Sequence, residues 1–191
     1  VGAYDGISHS NTFGLAVAGW KGICYEPVLL FYQQCKENLA DYNVDVINVC
    51  VGNKNGITKF NIAGTLSTYN QDYLKSEYWK EDYRDAIQVM VGIVTLDNNL
   101  KELGMNPGFD VLSLDVEGSE TDVLKFFDIS YWQPKMAIVE VQELHSAQEL
   151  TLQAPFINQY FEDAGYEKIY CDEINNVYIH KDLIGVNMLD E

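Results

Sequence analysis

Positive charge is scarce in this chain of 191 residues: 12 lysines and arginines stand against 29 aspartates and glutamates, a formal net charge of −17. A surface so negative repels phosphate backbones and anionic lipid, so neither nucleic acid nor a membrane is an expected partner. Cysteine is sparse as well. Cys24, Cys35, Cys50 and Cys171 form no CxxC pair and no zinc-type Cys/His spacing, and Cys24 and Cys50 sit in apolar runs, where a free thiol behaves as a small hydrophobe. Reduced thiols and the lack of a signal peptide lead us to expect a cytoplasmic protein. No stretch reaches the roughly 20 apolar residues of a membrane-spanning helix, and neither linker, repeat nor low-complexity segment interrupts the chain. With 47% hydrophobic and 21% charged residues, what is there has the composition of one globular domain over residues 1–191.

Short β-branched runs alternate with helical patterns. Gly22 to Glu26 reads as a buried strand, and Pro27 suits the first turn of a helix whose apolar face is Val28, Phe31, Cys35 and Leu39. Val44 to Val51 is a second strand, with Ile57 to Ile62 expected to return beside it as a hairpin after Gly52–Gly56. Val89 to Val94, Phe109 to Asp115 and Met136 to Val141 are further strands. Leu96 to Leu103 and Pro155 to Ala164 are helices ended by Gly104 and Gly165, and Ser119 is placed to cap a third. Glu167–Cys171 and Val177–His180 flank Asn175-Asn176 as an antiparallel hairpin. The expected fold is α/β: a doubly wound, mostly parallel sheet closed by a C-terminal antiparallel hairpin.

In open α/β sheets, ligands bind at the carboxyl ends of the strands. There the chain offers Gly2, Ala3, Tyr4, Asp5 and Gly6, a turn whose glycines let backbone approach a ligand. Asn11 follows it. Glu26 closes the next strand 20 residues after Gly6, where an acid can accept hydrogen bonds from a ribose diol, and Pro27 lies beside it. Val51 and Gly52, at the end of the following strand, are expected near an adenine. The glycines do not make the GxGxxG fingerprint of a pyrophosphate site. An adenosine ligand without a pyrophosphate fits better, and S-adenosylmethionine is such a ligand.

The blocks V-G-A-Y-D-G, G-W-K-G-I-C-Y-E-P, V-C-V-G-N-K-N-G, T-L-D and L-S-L-D-V-E-G-S-E, with G-Y-E-K-I-Y and N-N-V-Y-I-H-K at the end, resemble the FkbM family of S-adenosylmethionine-dependent methyltransferases. The resemblance runs in order over nearly the whole chain, and D-V-E-G-S-E is its most specific block. It implies the class I methyltransferase fold and O-methylation of a hydroxyl, on a sugar, a glycan or a related small molecule. In the family, an apolar strand ending in an acid precedes the glycine turn; residues 1–191 begin after it. A gap is therefore expected between the strand ending at Glu26 and the one ending at Asp115. Unpaired buried backbone groups cost about 1–3 kcal/mol each, so the gap is expected to be filled. The candidates are residues preceding Val1, a segment of a second copy (a homodimer), or Leu183 to Leu189.

Asp115, Glu117 and Glu120 crowd one strand end; Glu140 closes the adjacent strand, and Glu143 and His145 follow it. Methyl transfer to an alcohol needs in-line proximity and removal of the hydroxyl proton. Asp115 is expected to position the acceptor, with Glu117, Glu140 or His145 as general base. Glu120 reads equally as a helix-dipole partner, His9 as a lesser candidate and His180 as a sheet residue. No metal motif is recognised; Asp115, Glu117 and Glu140 would hold a divalent cation if one bound. Tyr69, Tyr73, Tyr78, Trp79 and Tyr83 read as a packed helical face or as a lid. The competing functions are a nucleotide- or NAD-binding enzyme and a non-catalytic binding module.

Overall fold

The computed structural model describes residues 1–71, 81–141, 153–172 and 174–185. After a short helix α1 (Phe13–Val17), β1 (Gly22–Tyr25) pairs in parallel with β2 (Val44–Ile47), from Gly22↔Val44 to Tyr25↔Ile47. Between them runs α2 (Leu29–Asn38), entered through Val28 in extended conformation. Val28, Cys35 and Leu39 are buried, as the apolar spacing requires, whereas Leu29 and Leu30 face solvent.

The apolar run 44–51 is not one strand. The Asn48 amide donates to the carbonyls of Glu26 (2.8 Å) and Pro27 (3.1 Å), which turns the chain out of β2. Beyond it, β3 (Cys50–Val51) joins a different sheet, parallel to β5 (Ile87–Val94). The expected hairpin between this run and β4 (Gly56–Ile62) does not form, because β4 pairs antiparallel with the other edge of β5. The intervening loop explains it. Gly52 N–H donates to Val94 O and Thr95 N–H to Asn55 Oδ1, so the loop wraps the end of β5 and leaves that strand in the middle.

The chain continues through α3 (Leu96–Glu102), β6 (Val111–Leu114), α4 (Glu120–Lys125), α5 (Ile129–Trp132), β7 (Met136–Glu140), α6 (Gln153–Asp163), β8 (Tyr166–Cys171) and β9 (Asn175–His180). The last four strands order as β6-β7-β9-β8, with β6·β7 parallel and the others antiparallel. The hairpin turn precedes Asn175-Asn176, which begin β9. Asp172 accepts from the N–H groups of Ile174 and Asn175, and Asn176 is a fully buried β9 residue whose amide donates to Tyr178 Oη (3.1 Å). The described strands thus form three sheets, one a parallel pair and two mixed, rather than one mostly parallel sheet.

Val1 and Gly2 lie between β1 and β6. The Val1 amino group donates to Ser113 O (2.8 Å) and Asp115 N–H to Val1 O, while Gly2 and Ala3 N–H both donate to Tyr25 O. Below them the two strands line a cleft that no described strand fills. No described segment of the chain enters this cleft, and residues 186–189 of the expected segment Leu183 to Leu189 lie outside the described residues. Lys181–Leu183 is a 3-10 turn bonded to Gly165 O, and residues 186–191 lie outside the described set.

The main core packs α3 to α6 on the β6–β9 sheet. Trp132, fully buried, stacks on Phe127 and donates its indole N–H to Asp97 (2.6 Å); Phe161 stacks on Tyr178 at 4.2 Å.

Candidate active site

The glycine turn is built on left-handed backbone. Gly2 and Gly6 have φ of 79° and 81°, and between them Tyr4 is held at 49°. Gly2 admits no side chain, since a Cβ would stand 1.7 Å from the Asp115 carbonyl oxygen. Gly2→Ala is therefore expected to destabilise the chain by about 1–3 kcal/mol for the overlap and about 1–2 kcal/mol more for the backbone conformation. Gly14→Ala, in α1 with nothing within 4 Å of the new carbon, should be neutral or stabilising in the same urea titration.

Glu26 stitches this turn to the start of α2. Its Oε2 accepts from Tyr4 N–H (2.9 Å) and its Oε1 from Val28 N–H (2.8 Å). The side chain is buried, and desolvation pushes its pKa up to about 7 against those two hydrogen bonds. A carboxylate oxygen accepts two hydrogen bonds, so each keeps capacity for one further donor. Tyr4 packs its ring on Phe31 with centroids 4.4 Å apart.

Gly2, Ala3, Tyr4, Gly6, Asn11, Glu26, Pro27 and Val51 line one cavity of about 910 Å³, together with Asp115, Glu117 and Glu140; the same cavity extends into the cleft between β1 and β6. Two expected residues do not line it. The Asp5 carboxylate turns back to accept from Ile7 N–H, Ser8 N–H and the Ser8 hydroxyl, as a loop cap does. Gly52 lies behind β3, where a Cβ would meet Ile93 at 2.7 Å and the Tyr69 hydroxyl at 2.9 Å. Asn11 is exposed, its amide donating to Asn175 Oδ1 (3.3 Å).

The carboxylates meet because of strand register. Leu114 pairs with Val139 in the parallel β6·β7 ladder, so the next residues, Asp115 and Glu140, come off neighbouring strand ends side by side. Each offers a carboxylate oxygen within 4.8 Å of the other's, and burial raises the Asp115 pKa above its ordinary value. Glu117 follows at φ 51° and Gly118 at 81°, folding the loop back over the strand end. Desolvation, helped by the charges of Asp115 and Glu120, lifts the Glu117 pKa to about 9, and its Oε2 is buried with no hydrogen-bond partner among the described residues. One ligand oxygen from each of Asp115, Glu117 and Glu140 lies within 4.8 Å of the others, a spread one divalent cation can bridge.

Glu120 has a structural role. Buried at the start of α4, it accepts from Val116 N–H (2.9 Å) and holds the loop that carries Glu117. Ser119 occupies the N-cap position but makes no cap bond; its hydroxyl meets that of Thr68 instead. Sequence reading passed over Asn70 and Gln153, whose amides both donate to Gly118 O and hold the loop. No local pattern marks them, since both act from distant segments. His145 and Glu143 lie outside the described residues, as do Tyr73, Tyr78 and Trp79. His9 is exposed on the cavity rim, and His180 packs edge-on against Tyr166 within the sheet.

A glycine turn, a strand-end acid and a carboxylate pair are thus gathered at the carboxyl ends of parallel strands in a mixed α/β fold, the place where such folds bind ligands. The family described as the methyltransferase FkbM domain matches residues 1–168, and the chain belongs to that methyltransferase family. Among solved structures, the 2.20 Å crystal structure of Methyltransferase FkbM from Methylobacillus flagellatus KT is similar in fold, with a TM-score of 0.55 at 16% identity. The match covers 93% of this chain and 41% of that one, so the chain spans less than half the length of this structural relative. Comparison with curated proteins gave no match.

Proposed function

We propose that the chain is an S-adenosylmethionine-dependent O-methyltransferase acting on a hydroxyl of a sugar, glycan or related small molecule. The observation that carries this is the Asp115–Glu140 carboxyl pair, set beside the glycine turn in the same cavity as Glu26. The residues present fit the cofactor. Turn backbone lies next to a buried acid with free acceptor capacity, and the cavity is roomy and partly apolar. Gly2, Ala3, Tyr4, Gly6 and Glu26 would hold the nucleoside end, with Pro27 and Val51 against the base. The bound cofactor supplies an electrophilic methyl group on a sulfonium. The chain's own work is to orient the acceptor, exclude water and take the hydroxyl proton, which falls to the Asp115–Glu140 pair. Glu117, protonated at neutral pH, donates a hydrogen bond rather than accepting a proton.

In this reading the three described sheets are segments of one doubly wound sheet, interrupted at the cleft. A net charge of −17 argues against nucleic acid and anionic membranes as partners, and no helix among the described residues is long and apolar enough to cross a membrane. Four free cysteines suit the cytoplasm. A homodimer in which a second copy supplies a strand to the cleft also belongs to this reading.

Calorimetric titration tests it. S-adenosylhomocysteine should bind and NAD should not, and Glu26→Ala should weaken binding by about 1.5–3 kcal/mol, roughly ten- to a hundredfold. Tight NAD binding would favour the nucleotide-enzyme alternative, and no binding of either would favour a binding module. The clustering of Asp115, Glu117 and Glu140 favours one variant, in which a divalent cation positions the acceptor. Activity that survives exhaustive chelation removes that variant alone.

A further inference from the structure

Three consecutive residues of the segment after β4 reach across to the loop that carries Glu117. The Thr68 hydroxyl meets that of Ser119 (3.4 Å), the Tyr69 hydroxyl donates to Asp122 Oδ2 (3.3 Å), and the Asn70 amide donates to Gly118 O (2.5 Å). From another segment, Gln153 at the start of α6 donates to the same Gly118 oxygen (3.0 Å). A carbonyl oxygen has two lone pairs, and both are taken. Each amide is itself held. Asn70 N–H donates to Thr68 Oγ1 (3.0 Å), and Thr68 is tied to Asn61 of β4 by backbone hydrogen bonds in both directions (2.8 and 3.0 Å). Gln153 Oε1 accepts from the Thr121 hydroxyl (3.1 Å).

What these bonds hold is a costly piece of backbone. Glu117 and Gly118 are successive left-handed residues, at φ 51° and 81°. Glycine takes that conformation freely, whereas a residue with a Cβ takes it at a cost. Such strain persists only where the surroundings over-determine it, and it gathers at functional sites. Here the strained residue is the one whose carboxyl offers an oxygen within 4.8 Å of those of Asp115 and Glu140. The hold is not core packing, since Asn70, Glu117, Gly118 and Gln153 are all only half-buried.

We propose that Asn70 and Gln153 are positioning residues for the acceptor: through the Gly118 carbonyl they keep Glu117 left-handed, with its carboxyl beside Asp115 and Glu140 where the acceptor hydroxyl is bound. That Glu117 meets an acceptor rests on the function proposed above; the hold on its backbone does not. With both amides gone, nothing bonds the Gly118 carbonyl from outside the loop. Glu117 then relaxes to ordinary backbone and carries its carboxyl away from its neighbours. A displacement of about 1 Å in a reacting arrangement costs on the order of 10² in rate.

The test uses the full chain with Asn70→Ala, with Gln153→Ala, and with the two together. A crystal structure of the double variant should show Glu117 at negative φ, its carboxyl oxygens farther than 4.8 Å from those of Asp115 and Glu140. Thermal melting and S-adenosylhomocysteine affinity should stay close to wild type. With methyl glucoside as the probe acceptor and saturating cofactor, kcat/KM should fall roughly tenfold or more. On a Glu117→Ala background the same two changes should cost nothing further, because they act through that side chain. A Glu117 unmoved in the double variant, or a further loss on the Glu117→Ala background, would overturn the proposal. Should the double variant not fold, the single variants are read in its place, and two unmoved loops overturn it equally. If Glu117 moves as stated while the wild type leaves methyl glucoside unmethylated, the sugar-acceptor reading fails and the hold on Glu117 stands.

Discussion

Glu140→Gln is expected to slow methyl transfer by about 10²–10⁴, the usual contribution of a general base. Cofactor affinity should stay within a few fold. The argument starts from register. Adjacent parallel strands deliver Asp115 and Glu140 to the same place, with carboxylate oxygens within 4.8 Å of each other. Burial raises the Asp115 pKa, which makes a carboxylate at that strand end a better base. Glutamine keeps the shape and a hydrogen bond but cannot take a proton. Asp115→Asn should cost about as much, and the double variant little more than either single one, because the two act as a unit. Glu117→Gln should leave turnover at pH 7 within a few fold, since that carboxyl is already protonated. Turnover in Glu140→Gln equal to wild type, with Glu117→Gln inactive, would reverse the assignment of the base.

The second large effect is on stability. Glu117 has a pKa of about 9 in the fold against 4.5 for an ordinary glutamate, and Glu26 and Glu120 are each raised to about 7, all mainly by desolvation. Between the unfolded and folded values the native state holds more protons than the unfolded chain. Its stability therefore falls as pH rises, by about 1.4 kcal/mol per pH unit for each proton of difference. The contribution is fully present below about pH 4.5. It is lost progressively up to about pH 7 for Glu26 and Glu120 and to about pH 9 for Glu117. Urea unfolding at pH 5.5 and 8.5 should show the wild type markedly weaker at the higher pH. Glu117→Gln, neutral throughout, should lose much of that slope and be the more stable protein at pH 8.5. A slope identical in the two proteins would mean that Glu117 ionises freely.

The sequence disclosed what depends on neighbours along the chain. The apolar face of α2, the end of α3 before Gly104, the left-handed glycines of the turn and the carboxylates at two strand ends were all readable from spacing. What escaped it depends on contacts between distant segments. Asn48 breaks an apolar run that looks continuous, because its amide finds the carbonyls of Glu26 and Pro27. β4 prefers β5 to its sequence neighbour because Asn55 ties the loop to Thr95. Asp5 looked like a ligand group and proves to be a loop cap, whereas Glu120 looked ambiguous and is a brace for the loop before it. Gly52 was chosen for its place after a strand, but its open side is taken by the Tyr69 ring. Spacing finds the strand ends; only packing tells which groups there are still free.

The cleft between β1 and β6 has a consequence for how the molecule holds together. No ladder joins these strands among the described residues, and the backbone crosses between them at Val1, Gly2 and Ala3. The β1–α2–β2 unit thus meets β6 along a seam that borders the cavity. A ligand resting on Glu26 on one bank and Asp115 on the other would span that seam. Its binding energy would then count toward cohesion as well as occupancy, since whatever binds the closed form alone adds to its stability. In such a molecule the small ligand is a structural member, and how completely the two banks melt together depends on how much of it is present.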